Sequence, residues 1–256
     1  MGKRVLWCIT GSGSFIHEVV ELIAELKRMG VEVRVCLSRA GEEVAKIYGV
    51  LDDLQALGIA VIRERSRSGA EVAGDVAMGK YSAVVLAPAT SNTVSKVVIG
   101  VADTLPTIAA SQALKRGIPL LVLPSDYAES VPTTYPCVVE RGRCVGCGTC
   151  IEICPCEAMS LANGRAVILY ERCRGCGLCA VVCRRNCISC WEKGFYTCSQ
   201  RDVENAKKLS DLGALILTTV DELRNHLRVL LRNGAQLSPA SSSGRVGATQ
   251  ASSRHL

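Results

Sequence analysis

Cys144, Cys147, Cys150 and Cys154, with Pro155 directly after, spell C-x2-C-x2-C-x3-C-P, and the same spacing returns at Cys173, Cys176, Cys179 and Cys183. At this doubled spacing the fourth cysteine of each run ligates the cluster of the other run. The chain must therefore fold so that eight thiolates meet in two crossed sets. The spacing predicts two 4Fe–4S clusters, one on Cys144, Cys147, Cys150 and Cys183, the other on Cys173, Cys176, Cys179 and Cys154. Paired C-x2-C also binds zinc, but a four-coordinate ion has no use for a third cysteine in each loop, repeated and crossed between runs. Proline after the fourth ligand turns the chain away, because its fixed φ and missing N–H end a helix. The second run has Arg184 there, which predicts a less regular exit. From Glu140 to Cys198 eight Lys/Arg stand against five Glu, and a basic surround predicts raised cluster potentials.

The rest of the composition narrows the class. With 256 residues, 48% of them hydrophobic, the chain can bury one sizeable core and carry a small added unit. Fifteen cysteines would suit a secreted disulfide scaffold only in a much shorter chain. Thiols reserved for clusters imply a reducing cytoplasm. The apolar run after the first four residues, VLWCIT, is too short for a signal sequence and reads as a buried strand. No apolar run reaches the ~18 residues of a membrane span, so no membrane partner is expected. The net charge of +6 is dispersed and only ten residues are aromatic, so the signature of a single-strand nucleic-acid binder is missing. No nucleic-acid partner is expected; phosphates or acidic redox proteins suit this balance better.

Residues 1–127 alternate strand and helix patterns. Arg4–Thr10 is apolar throughout, as a strand buried on both faces must be. Gly11-Ser-Gly-Ser14 makes a turn, and Phe15, Ile16, Val19, Val20, Ile23 and Met29 form a helical stripe closed by Gly30. Val31–Ser38 reads as a second strand, Gly41 to Leu57 as a helix, Ala60–Arg63 as a third strand and Ala83–Ala87 as a fourth. Helices to Arg116 and a fifth strand at Leu120–Leu123 follow. The rhythm predicts an α/β fold, a flavodoxin-like or Rossmann-like doubly wound parallel sheet. A small α+β ferredoxin-like unit, 138–198, interrupts it. Afterwards Val203, Ala206, Leu209 and Leu212 give a helical face, Ala214–Thr218 a strand, and Thr219-Val-Asp-Glu222 a capping box. Such a short helix–strand–helix cannot bury its own faces, so it is expected to complete the first sheet. One discontinuous domain, 1–137 with 199–235, then surrounds the cluster unit. Residues 236–256, rich in Ser and without acids, are expected to be a disordered tail.

In such a sheet ligands bind beyond the carboxyl ends of the strands. Three loops fall there: Gly11–Ser14, Ser38–Gly41 and Pro88–Thr93. The first suits a phosphate at a helix N-terminus but departs from G-x-G-x-x-G, having Ile16 in place of the last glycine. The second strand ends on Ser38-Arg39, not on the acid a nicotinamide ribose wants. Both departures favour a mononucleotide. The stretch LAPATSNTVSKVVIGVADTLPT, Leu86–Thr107, closely resembles the flavin loop of the homo-oligomeric flavin-containing Cys decarboxylase superfamily. GSGS at 11–14 and LSRAG at 37–41 resemble that family's other two FMN loops. With the C-terminal helix–strand–helix the chain is similar to the archaeoflavoprotein branch, and with the cluster insertion to its archaeal pterin-reducing members. The resemblance implies that Gly11, Ser12 and Gly13 cradle the FMN phosphate end and that Ser38 adds a hydrogen bond. Thr90, Ser91, Asn92 and Thr93 line the isoalloxazine and ribityl chain, with Gln112 near a further contact. Ser91 replaces the family's usual alanine. The family's decarboxylases resemble one another in a mid-domain catalytic histidine and a P-x-M-N-x-x-M-W loop. Here the histidines are His17, His226 and His255, and the loop reads Pro124-Ser-Asp-Tyr-Ala-Glu-Ser130, so decarboxylation is not expected.

Clusters carry one electron at a time and FMN converts these to a hydride equivalent. The resemblance therefore implies an oxidoreductase that passes electrons from an external redox protein through two 4Fe–4S clusters and FMN to a pterin. Dihydromethanopterin would become tetrahydromethanopterin. No catalytic acid is assigned; Asp126, Tyr127 and Glu129 are candidates or simply loop polar groups. A pure electron carrier without an organic substrate is the rival reading. A redox sensor is another, drawing on Cys137, Cys156, Cys187, Cys190 and Cys198, with Cys187 and Cys190 as an extra C-x2-C. Cys8 and Cys36 read as core residues, and His17 as a first-turn polar residue. The family's habit implies a homo-oligomer, a trimer or a multiple.

Overall fold

The computed structural model describes residues 3–65 and 68–233, so the tail expected at 236–256 lies outside the described residues. In chain order the first part comprises β1 (Arg4–Ile9), α1 (Ile16–Arg28), β2 (Glu32–Leu37), α2 (Arg39–Ile47), α3 (Val50–Ala56) and β3 (Ala60–Arg63). It continues with α4 (Ser68–Ala77), β4 (Ala83–Ala89), α5 (Ser91–Val98), α6 (Leu105–Arg116) and β5 (Leu120–Pro124). The cluster segment holds β6 (Ser130–Thr134), β7 (Val138–Val139), α7 (Thr149–Glu152), β8 (Met159–Ala162), β9 (Arg165–Ile168), α8 (Leu178–Val181), β10 (Ile188–Ser189) and β11 (Lys193–Thr197). The last part is α9 (Gln200–Asp211), β12 (Leu215–Ile216) and α10 (Val220–Asn233).

Because side chains of a strand alternate between faces, the unbroken apolar run of β1 feeds two cores at once. Val5, Trp7 and Ile9 pack on α1, α3 and α10; Leu6 and Cys8 face Val72 and Val76 of α4 and the alanines of α6. Each fully buried Leu or Ile contributes about 1.5–3 kcal/mol. The result is a six-stranded parallel sheet in the order β12-β5-β4-β1-β2-β3. This is a flavodoxin-like, doubly wound α/β fold. The chain leaves β1 to one side for β2 and returns on the other for β4, which puts a switch point at the carboxyl end of β1. Trp7 donates its indole N–H to Ala87 O at 2.7 Å, and Thr10 Oγ1 donates to Pro88 O at 2.8 Å, locking β1 to β4 there. Cys8 and Cys36 are adjacent in register and fully buried.

β12 adds to the sheet beside β5, with Leu215 opposite Leu121, and Leu223 and Leu227 of α10 are fully buried on the α1 side. Glu25 of α1 bonds Arg224 and Arg228 of α10. The capping box at Thr219 and Glu222 forms, each side chain accepting the other's backbone N–H. Among the described residues no helix is long and apolar enough to cross a membrane.

Several elements differ from the sequence pattern. The helix expected from Gly41 to Leu57 breaks into α2 and α3, because Gly49 takes a left-handed φ of 74° between them. Phe15 is not in the α1 stripe but caps it from a left-handed conformation, and Met29 is 49% exposed; Leu22 and Leu26 fill the buried face instead. Leu212 lies beyond α9 and is 47% exposed. The strand expected at Ala214–Thr218 shortens to β12. Strands β6 and β11 pair antiparallel from Ser130↔Thr197 to Thr134↔Lys193, a two-stranded neck absent from the sequence expectation.

Above the neck the cluster segment is a repeat. Cys144, Gly148 and Glu157 recur 29 residues later as Cys173, Gly177 and Asn186. Both glycines are left-handed caps that start α7 and α8, and Glu157 and Asn186 both have positive φ. The exit after Cys183 is thus as regular as that after Cys154, contrary to the expectation from Arg184. A left-handed third residue and a backbone bond, Glu157 N to Cys154 O and Asn186 N to Cys183 O, turn the chain in both copies, with Pro155 in the first and Arg184 in the second.

Candidate redox centres

α7 carries Cys150 near its start, and Cys154 lies just past its end, so one short helix sends thiols to two places. α8 does the same with Cys179 and Cys183. One cavity, about 350 Å³ of empty space that includes open solvent, is lined by Cys144, Cys147, Cys150 and Cys183, with Cys187 beside them; a second with the same empty space is lined by Cys154, Cys173, Cys176 and Cys179, with Cys137 and Cys156 beside them. The structure therefore brings the eight predicted thiols together in the two crossed sets. Four sulfurs around one zinc ion would sit about 3.8 Å apart, given Zn–S of about 2.3 Å and tetrahedral geometry. Among the described residues the one trio of potential metal-binding side chains with ligand atoms mutually within 4.8 Å is Cys137, Cys179 and Cys190. No three of the eight converge that closely, so each set surrounds a volume rather than a point. The donor chemistry and the spacing fit a sulfide-bridged cubane.

Backbone N–H groups prepare the sulfurs for negative charge. Ala166 N reaches Cys144 Sγ at 3.2 Å, Ala158 N reaches Cys154 Sγ at 3.2 Å and Cys187 N reaches Cys183 Sγ at 3.4 Å. The N–H groups of Ala166 and Gly146 hold the Cys144 thiol below its ordinary range, and that of Thr149 does the same for Cys147. Burial pushes Cys150 and Cys173 up and raises Cys179 to about 11. Cys187, which the sequence paired with Cys190, instead lies 3.3 Å from Cys183 Sγ, while Cys190 is disulfide-bonded to Cys137. The two cysteines of the extra C-x2-C thus do not pair with each other: they sit at either end of β10 and face different neighbours.

A third cavity, about 1110 Å³ of empty space open to solvent, lies at the carboxyl ends of β1, β2 and β4. Gly11, Ser38, Arg39, Thr90, Asn92, Thr93, Lys96 and Thr104 are among its lining residues. Ser38 caps α2, its Oγ accepting Gly41 N at 3.0 Å, and Thr90 caps α5, its Oγ1 accepting Thr93 N at 3.4 Å. Two helix N-termini thus open into one cavity, which favours an anion at the α5 end. Glu43 and Glu64 also line it, and Glu64 already accepts Arg39 N at 2.9 Å at the start of α2 and Leu105 N at 3.0 Å at the start of α6. Of the predicted flavin residues, Gly11, Ser38, Thr90, Asn92 and Thr93 meet here. Ser12, Gly13, Ser91 and Gln112 do not line it. Gly13 is glycine because a Cβ there would run into the Tyr48 ring. Ser91 turns its N–H to Asp126 Oδ2 at 3.1 Å. Gln112 sits towards the other end of α6 from Thr104.

Asp126 also accepts from Ser125 Oγ at 2.6 Å, so it is engaged as a partner of the α5 N-terminus. Tyr196 of the neck donates to Ser125 O at 2.8 Å. Burial, then Asp126, pushes Tyr196 to about 12 and Cys198 to about 11. Tyr127 packs on Phe15 with ring centroids 6.3 Å apart, and Glu129 is exposed. Sequence reasoning missed Tyr196, because its partner lies 71 residues away across the neck.

The second thiol set docks against the sheet domain. Trp191 meets Tyr48 at 5.1 Å and His17 at 5.8 Å between centroids, so His17 joins an aromatic junction rather than standing alone. Tyr48 donates its hydroxyl to Thr134 O at 2.6 Å. A Cβ on Gly175 would run into Ile47 O and Trp191, and Arg174 pairs with Asp52 at 3.7 Å.

Comparison with known proteins adds independent support. A family described as flavoprotein matches residues 1–131, and a 4Fe–4S binding domain matches residues 166–189. The chain is 38% identical over 172 residues to a dihydromethanopterin reductase (acceptor) of Methanosarcina mazei, covering 63% of this chain and 72% of that one. It is 35% identical over 169 residues to the protein of the same name from Methanocaldococcus jannaschii, covering 60% and 67%. The solved structure of Burkholderia xenovorans DmrB in complex with FMN, described as a cubic protein cage for redox transfer, superposes with a TM-score of 0.60 at 28% identity. That match covers 90% of this chain and 96% of the other.

Proposed function

The chain belongs to the flavoprotein family, and from that premise we propose that it is an iron–sulfur flavoprotein oxidoreductase reducing dihydromethanopterin to tetrahydromethanopterin with electrons from an external redox protein. Two 4Fe–4S clusters, when bound, supply single electrons, and FMN converts them to a hydride equivalent. The observation that carries the reading is the pair of cavities, whose linings each contain one complete crossed set of four thiols.

The roles then follow from the chain's own groups. Cys144, Cys147, Cys150 and Cys183 hold the first cluster, and Cys154, Cys173, Cys176 and Cys179 the second. Ser38 and Thr90 keep two helix N-termini aimed at the flavin phosphate and ribityl side, with Gly11, Asn92 and Thr93 beside them. Gly11 leaves room there, since a Cβ would lie 2.7 Å from that of Ala40. Ser12 and Ser91 border this set; Gln112 is left out because of its place on α6. Asp126 fixes the α5 N-terminus, and Tyr196, whose hydroxyl donates to Ser125 O, braces the loop that carries Asp126. The flavin unit comprises 1–137 and 199–235, and the cluster unit 138–198; the pairing of β12 with β5 supports that division.

We further infer a homo-oligomer in the reducing cytoplasm. Ile99 is 73% and Val101 38% exposed, in the segment leading to Thr104 at the rim of the flavin cavity, and a second copy would cover them. The solved structure described as a cubic protein cage supports this assembly.

The test is anaerobic purification with iron, sulfide and flavin quantitation, then assay with the reduced pterin precursor. Eight irons and one flavin per chain with pterin turnover are expected. Full cofactors without turnover would leave an electron carrier. In the same material Thr90→Ala should cost about 1 kcal/mol through the lost cap and weaken flavin retention; unchanged flavin content would remove Thr90 from the site.

A further inference from the structure

The two lobes of the cluster unit follow one 29-residue repeat, so their differences can be read position by position. In the first lobe β8 and β9 place Leu161 opposite Ala166, and both line the first thiol cavity. In the second lobe β7 and β10 match Val139 with Ile188 and Val138 with Ser189. The next rung is Cys137 beside Cys190, the positions that repeat Ala166 and Leu161. These two cysteines are joined as a disulfide. Their sulfurs and that of Cys179 lie within 4.8 Å of one another, and Cys137 lines the second thiol cavity. An apolar pair beside one set is a cystine beside the other.

We propose that Cys137 and Cys190 form a two-electron redox centre coupled to the second cluster. This rests on Cys154, Cys173, Cys176 and Cys179 being that cluster's ligands. Reduction breaks the Sγ–Sγ bond. The external donor supplies two electrons, which the second cluster, held by Cys154, Cys173, Cys176 and Cys179, would pass on singly; with two protons from solvent beside the half-buried Cys190 they leave two thiols. Oxidation returns both electrons and releases both protons.

Position and chemistry argue against a passive staple. In the reducing cytoplasm inferred above, the disulfides of mesophile proteins are usually transient and catalytic or redox-sensing. This one abuts a ligand thiol. It also sits in the neck, between the last rung of β6·β11 at Thr134↔Lys193 and the first of β7·β10 at Val138↔Ser189. Trp191, next to Cys190, packs on Tyr48 and His17 of the flavoprotein domain. The state of the bond is therefore set where the cluster unit joins that domain.

The experiment uses full-length protein with iron and sulfide quantified first. Oxidised and photoreduced samples are acid-quenched, alkylated with N-ethylmaleimide and mapped by peptide mass spectrometry. The same samples are titrated for electrons. The oxidised protein should yield a linked Cys137–Cys190 peptide pair and the reduced protein two alkylated peptides. Wild type should take up two more electrons per chain than Cys137→Ser/Cys190→Ser and than Cys137→Ala/Cys190→Leu, which copies the first lobe. In Cys154→Ser, which empties the second set, the pair should stay linked after the same photoreduction. With clusters full, free thiols in the oxidised protein, a linked pair surviving reduction, equal electron counts, or equal opening in Cys154→Ser would each overturn the inference alone. Protein without iron and sulfide would overturn the cluster reading, and this one with it.

Discussion

The two lobes of the cluster unit share helices, caps and turns, yet the same position has different partners in each. Gly146 packs beneath Gly164 O inside its own lobe; Gly175, its repeat, packs beneath Ile47 O of the flavoprotein domain and against Trp191. Both glycines have positive φ, 69° and 65°, so both are required twice over, for conformation and for space. The contrast teaches that a duplicated motif acquires order from what it docks on. The first set is the outer site, beside an apolar Leu161·Ala166 pair. The second is the inner site, beside a cystine and an aromatic junction. Chemistry follows the same division in part. Backbone N–H groups hold Cys144 and Cys147 of the outer set down, while burial lifts Cys150 in the outer set and Cys173 and Cys179 in the inner one.

The hardest blow to this comparison would come from the crossed ligands. Cys183→Ser should remove roughly half of the iron and sulfide, all of it from the set with Cys144, and Cys154→Ser the other half. Electron paramagnetic resonance of the two variants should show different surviving clusters. If Cys183→Ser instead spared the outer cluster, the crossing would be wrong. Next in size are the paired glycines. An Ala at either position forces positive φ and a backbone clash, costing about 1–3 kcal/mol. Gly146→Ala should loosen the outer cluster and leave flavin reduction by the inner one intact, while Gly175→Ala should slow flavin reduction with both clusters present. Stopped-flow flavin bleaching separates them; identical behaviour would erase the distinction between outer and inner. Trp191→Ala, removing a half-buried ring from the junction, should cost about 2 kcal/mol and slow the same step more mildly than Gly175→Ala.

Much of this was legible because its determinants are local. Three ligands of each set lie within one loop, and the apolar runs of the sheet strands stand out by composition alone. Other features depend on distant partners. Gly13 looks like a phosphate-binding glycine until Tyr48, 35 residues on, is seen above it. The break at Gly49 hides inside a periodicity that α2 and α3 both continue. The neck pairs SVPTT with KGFYT, strands too short and too polar to stand out, and its register alone brings Cys137 to Cys190 across 53 residues. The inner site is therefore the less readable one, since its neighbours come from the other domain.

The smallest expected effect concerns Cys187, whose counterpart in the repeat is Ala158. Burial, then the hydrogen bond with Cys183, pushes the Cys187 thiol up to about 12. A raised pKa favours the protonated form, so Cys187 keeps its S–H through the neutral range and donates to Cys183 Sγ, 3.3 Å away. A donor to a ligand sulfur stabilises the more negative, reduced state and raises the potential. Cys187→Ala, which copies the inner lobe, should lower the outer cluster's potential and leave the inner one unmoved. A net hydrogen bond of about 0.5 kcal/mol, the low end for a weak donor, corresponds to about 20 mV for one electron. The offset from wild type should be the same at pH 6 and pH 9, because the thiol does not titrate between them. An offset that vanished at pH 9 would mean that Cys187 ionises there, and an equal shift in both clusters would mean that the two lobes share one environment.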